Sequence, residues 1–117
     1  MKVFIQITTN IIDKAASPIL HLNLVTWAFD AVLSGNKKEE YREIKPYWDR
    51  IFADGIKIKG KHYPAGEVVI CFSNGYAKDR RQFKMRCTGL KVGKGNLKYG
   101  GDPDEEYYVL GLGEMVG

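Results

Sequence analysis

The stretch Gln82-Phe-Lys-Met-Arg-Cys-Thr-Gly-Leu-Lys-Val92 alternates apolar and polar residues with a period of two, and the parity of the alternation changes at Gly89. Phe83, Met85 and Cys87 share one face and Lys84, Arg86 and Thr88 the other, whereas beyond the glycine the apolar residues are Leu90 and Val92. Successive side chains of a strand point to opposite faces, so both apolar sets stay on one side only if the strand bulges or bends sharply past Gly89. A bent strand of this length with one apolar face directs the chain toward a curved sheet that closes around a core.

The rest of the chain supplies partners for that strand. Leu20, Leu22 and Leu24 alternate with His21 and Asn23, and Glu67-Val-Val-Ile-Cys-Phe72 is a near-continuous apolar run of the kind buried on both faces. Ile56 and Ile58 alternate with lysines, and Glu106 to Met115 reads as a last strand after a glycine-rich loop from Gly93 to Pro103. Two short helices interrupt the strands. Thr26 is placed as an N-cap, Trp27, Ala28, Ala31 and Val32 form a stripe, and Gly35 is placed to end the helix in a left-handed conformation. Pro46 opens the second helix, through Phe52, with Tyr47, Ile51, Trp48 and Phe52 toward the core. The expected fold is α+β: a mostly-β, closed or half-closed barrel with two short helices. Residues 1–17 read as an N-terminal extension or an extra strand at 3–8, and 18–117 as the domain.

Composition agrees with one globular domain: of 117 residues, 44% are hydrophobic and 27% charged, which excludes a disordered or collagen-like chain. A net charge of +4 conceals an uneven distribution. Residues 78–98 carry eight lysines and arginines against Asp79 alone, and residues 99–117 carry five carboxylates and no cation. The basic stretch is where a polyanion would bind. Cys71 and Cys87 lie in apolar runs without CxxC spacing and read as reduced core residues of a cytoplasmic protein. His21 and His62 have no ligand-spaced partners, so neither a metal nor another cofactor is expected. The first residues are apolar over too short a run for a membrane span and lack a small-residue cleavage site.

The most informative segment is Ser34-Gly-Asn-Lys-Lys-Glu-Glu-Tyr-Arg-Glu-Ile-Lys-Pro-Tyr-Trp48. On an extended chain Glu40, Arg42 and Ile44 share a face, Glu40 and Arg42 can pair, and Lys37 reaches over from the helix end. Arg42 suits bidentate contact with a phosphate or a base edge, and Lys37 a point-charge contact or, once desolvated, a base. The same three residues can instead form a solvated ion-pair network that orients the helix. Gly35, Lys37, Glu40 and Arg42 resemble the GxKxxExR motif of the ASCH domain, a small β-barrel family of the PUA-like class, and the likeness extends over roughly residues 18–116.

The resemblance implies RNA association through a cleft beside Lys37, Glu40 and Arg42, with Lys45 next in the chain. Asn74 and Tyr76 at a turn can add an amide and a stacking ring, although an ordinary hairpin turn explains them equally. Lys84 and Arg86 make a basic stripe that can follow a phosphate backbone, or protect a sheet edge. The expected partner is RNA or a nucleotide-like ligand, bound with steep salt dependence. The alternative is a small hydrolase. Some ASCH-like proteins are amidohydrolases of acylated cytidines in which the motif lysine is a base and a threonine nucleophile stands where this chain has Glu40. In this chain that alternative keeps Lys37 and Glu40 as acid–base residues toward a modified nucleoside or an RNA phosphodiester.

Overall fold

A computed structural model of the protein describes residues 17–116. The strand expected at residues 3–8 and most of the connector leading to Pro18 lie outside them. The described chain runs β1 (Ile19–Leu24), α1 (Thr26–Leu33), β2 (Glu39–Glu43), α2 (Pro46–Phe52), β3 (Ile56–Ile58), β4 (Lys61–Tyr63), β5 (Val69–Asn74), β6 (Gln82–Lys94) and β7 (Glu106–Val116). Single 3₁₀ turns lie at Ala65–Glu67 and Leu97–Tyr99.

Five strands form a sheet of order β1-β5-β6-β7-β2, with β1 parallel to β5 and the other pairs antiparallel; β3 and β4 form a separate hairpin. The architecture is α+β, a curled half-barrel with two helices. Its concave side holds Leu20, Leu22 and Leu24 of β1, Ile70 and Phe72 of β5, Met85 and Cys87 of β6, and Tyr108 and Leu110 of β7. Ala28, Phe29 and Val32 of α1 and Phe52 of α2 close over them. Each fully buried side chain of this size contributes about 1.5–3 kcal/mol relative to exposure. As its apolar run requires, β5 is buried on both faces: Val69 and Cys71 are buried on one, Ile70 and Phe72 on the other.

The bend in β6 occurs slightly earlier than the parity change suggests. Register with β7 shifts between Met85 and Cys87 and again between Cys87 and Gly89, so Thr88 is the extra residue. A compensating irregularity in β7 restores the register from Gly89↔Gly111 onward. Leu90 then packs on the core, but Val92, opposite Tyr108 near the barrel rim, is exposed.

The helices differ from expectation in which flank they bury. Val25, not Thr26, occupies the N-cap position of α1 without a side-chain cap, and Thr26 Oγ1 instead accepts from Asn74 Nδ2 at 3.3 Å. Phe29 takes the inward position while Trp27 is 59% exposed, because the helix rests on the sheet along Ala28, Phe29 and Val32. On α2, Phe52 is buried with Trp48 and Ile51 packed beside it, and Tyr47 falls on the outer flank.

Gly35 ends α1 as expected, with φ of 85° and its N–H on the Val32 carbonyl at 3.0 Å. The left-handed turn lets the Lys37 N–H return to Ala31 O at 2.9 Å, which sends the Lys37 side chain back toward the barrel. A Cβ at position 35 would meet nothing within 4 Å, so Gly35→Ala carries a backbone cost alone. That cost is about 1–2 kcal/mol, read as a fall in the thermal midpoint of roughly 3–8 °C. An unchanged midpoint would contradict this account of the motif glycine.

Candidate functional site

Among the described residues the strand order leaves β1 and β2 as the two outer strands of the half-barrel, and a shared cleft lies between them. No ladder among the described residues joins them, but a side chain does. Arg42 Nη2 donates to the carbonyl of Asn23 on β1 at 3.1 Å and to Glu40 Oε2 at 2.7 Å. The other carboxylate oxygen, Glu40 Oε1, accepts from Lys37 Nζ at 2.7 Å, and the same ammonium donates to Glu39 O at 2.6 Å. Lys37 is 4% exposed and Glu40 6%, so one buried carboxylate holds two cations, one on each oxygen. The pairing expected on the extended segment is therefore present, but it is buried, which separates it from a solvated charge run. Arg42 lies with its guanidinium carbon 4.9 Å from the Trp48 ring centroid, and its buried Nε has no hydrogen-bond partner among the described residues. Buried donors are nearly always paired, and an unpaired one costs about 1–3 kcal/mol.

A cleft of about 310 Å³ runs along this gap. That volume lies at the lower end of small-ligand sites, roughly 300–1,000 Å³. Lys37, Glu40 and Arg42 line it, and Trp27, Tyr41, Trp48, Tyr99 and Tyr107 supply aromatic surface. Residues from both faces of β2 reach the cleft because it follows the strand's free edge. Two cations and two carboxylates, Glu40 and Glu43, line it, so its formal charge is balanced.

One wall comes from the glycine-rich loop, which is less irregular than its composition suggests. β6 continues to Lys94, Asn96 caps the 3₁₀ turn by accepting from the Lys98 N–H, and Gly100 follows with φ of 84°. A Cβ on Gly101 would sit 2.7 Å from the Tyr41 ring, and one on Gly100 would run into the Trp27 indole, so these glycines let two rings approach the loop. Tyr41 also donates to Glu39 Oε1 at 2.8 Å and packs on Tyr107. Burial, and then that hydrogen bond, push the Tyr41 phenol far above its ordinary range. The folded state thus favours the neutral phenol. Its contribution to stability is complete below about pH 10, the unfolded value, and is lost as pH rises from there toward the folded value. An alkaline absorbance titration is expected to show two phenols ionising above the ordinary tyrosine range, Tyr41 and the buried Tyr108, which donates to Asp49, and Tyr41→Phe to remove one of them; ionisation of every phenol in the ordinary range would contradict it.

The remaining candidates are dispersed. Lys45 is exposed at the start of α2 and contacts Glu43 at 3.4 Å, outside the cleft lining. Asn74 has all its polar atoms engaged within the fold, and Tyr76, 83% exposed, lies in an adjoining pocket. Lys84 and Arg86 are exposed on β6, which is two strands from either edge and therefore across the barrel from the gap. A ligand held in the cleft and one held on the basic strand occupy different sides of the molecule.

Trp27, Tyr99, Tyr107 and the Asn23 carbonyl escape sequence reasoning, because only the strand order and the loop contact bring them together. Among the described residues no group of His, Cys, Asp and Glu side chains is placed to hold a metal ion, and no helix is long and apolar enough to cross a membrane. Compared with family models, curated proteins and solved structures, the chain matches none.

Proposed function

We propose that the cleft between β1 and β2 binds a base of single-stranded RNA, in keeping with the resemblance of Gly35, Lys37, Glu40 and Arg42 to the ASCH motif. The observation that carries this reading is a cleft of base-sized volume walled by five aromatic rings and lined by the guanidinium-bearing side chain of Arg42. A base offers flat faces to such rings and in-plane acceptors to a guanidinium. Balanced charge in the lining favours recognition of the ring over the phosphate. Both oxygens of Glu40 and two of the three donors of Lys37 are engaged with each other and with neighbours, which suits holding a geometry better than exchanging a proton. Binding is therefore preferred to the hydrolase alternative.

Trp27 and Trp48 are the only tryptophans of the chain and both line the cleft, so intrinsic fluorescence reports its occupancy. Titration with the four ribonucleoside 5′-monophosphates is expected to give a saturable change for at least one of them. The steep salt dependence expected from the basic stretch gives way here to the charge-balanced lining, so that affinity should vary little between about 50 and 200 mM salt, unlike the roughly 10³–10⁵-fold loss of a protein gripping 6–10 phosphates. Absence of any fluorescence change, or a steep salt response, would contradict base recognition at this cleft.

A further inference from the structure

A second pocket, of about 360 Å³, adjoins the first and shares Asn23, Leu24 and Val25 with it; the Asn74–Tyr76 turn and Thr26 complete its wall. The fold fastens this turn firmly. Asn74 Nδ2 donates to Leu24 O and to Thr26 Oγ1, each at 3.3 Å, and Asn74 Oδ1 accepts from Arg81 Nη2 at 3.1 Å. Arg81 is in turn paired with Asp30 at 2.9 Å and lies over the Phe29 ring. The result is a large aromatic side chain, Tyr76, that packs on little and is 83% exposed, yet rises from a turn anchored to β1 and α1. Next to it in the chain, Lys78, Arg80 and Arg81 are exposed with Asp79, and Arg81 is paired with Asp30, which leaves one cation in excess.

An exposed ring on an anchored turn, next to a base-sized cleft and among cations, matches a stacking platform for single strands: rings take the bases while cations take the phosphate between them. We propose that the Tyr76 pocket receives the base adjacent to the one in the cleft, so that the ligand is a single RNA strand of at least two nucleotides and not a free nucleoside. This rests on the reading of the cleft as a base site.

Stacking contributes about 1–3 kcal/mol per base, so a 5′-phosphorylated ribodinucleotide is expected to bind roughly 5- to 150-fold tighter than the matching mononucleotide in the tryptophan titration. Tyr76→Ala should remove most of the dinucleotide's gain, and Tyr76→Phe, which keeps the ring, should retain it. A dinucleotide lacking its second base supplies the charge control and should keep only the part of the gain that the added phosphate contributes. Equal affinity for one and two nucleotides, an undiminished gain in Tyr76→Ala, or full affinity of the abasic dinucleotide overturns the second site while leaving the first. No response to either ligand overturns the cleft reading and the second site together.

Discussion

Glu40→Ala is expected to lower the thermal midpoint of the protein by roughly 10–25 °C. Among the described residues the carboxylate is the counter-ion of both Lys37 and Arg42, which sit 4% and 16% exposed at the side chain. Removing it leaves two desolvated cations facing one another, and breaking a buried pair in this way costs about 3–5 kcal/mol. At roughly 3–5 °C per kcal/mol for a domain of this size, the loss is large against a total stability of about 5–15 kcal/mol. Glu40→Gln keeps the shape and one acceptor and should lose less. Replacing Lys37, Glu40 and Arg42 together by leucine or methionine should recover most of the stability, because the desolvation of three charges disappears with their attraction. The triple variant should nevertheless bind no nucleotide. A Glu40→Ala midpoint within a degree or two of wild type would mean that the three residues behave as a solvated network.

Arg42→Ala is expected to weaken mononucleotide binding by roughly 5- to 150-fold, the 1–3 kcal/mol of one well-placed arginine contact to a base. Arg42→Lys should not restore it. A single ammonium cannot reach Glu40 Oε2 and the Asn23 carbonyl while lying flat over Trp48 and presenting a further donor in the same plane. Because Arg42 also bridges the two sheet edges, the titration is read on variants whose circular dichroism matches wild type at the temperature used. Unchanged affinity in a folded Arg42→Ala protein would place the ligand elsewhere.

How much of this was readable beforehand depends on the range of the interactions involved. Period-two alternation exposes the inward face of β1 and of β6 because the signal lies within a few residues, and Gly35 and Pro46 mark helix ends through backbone restrictions of their own. The Lys37–Glu40–Arg42 pairing follows from strand geometry over six residues. Which flank of a two-turn helix meets the sheet is not a local property, so Trp27 was exchanged for Phe29. Strand order is less local still. The basic residues Lys84 and Arg86 look continuous with the motif until β6 is seen to lie opposite the β1–β2 gap. The loop behaves similarly, since the role of Gly100 becomes visible only once Trp27 is laid across it.

The most direct test is a ¹H–¹⁵N correlation titration of the full chain with the ribonucleoside monophosphate that gives the largest fluorescence change. The indole N–H signals of Trp27 and Trp48 and the Nε–H signal of Arg42 are expected to move together with a common dissociation constant. Shifts confined to the amides of Lys84, Arg86 and their neighbours on β6, with the two indoles and Arg42 Nε–H unmoved, would contradict the assignment of the cleft as the binding site.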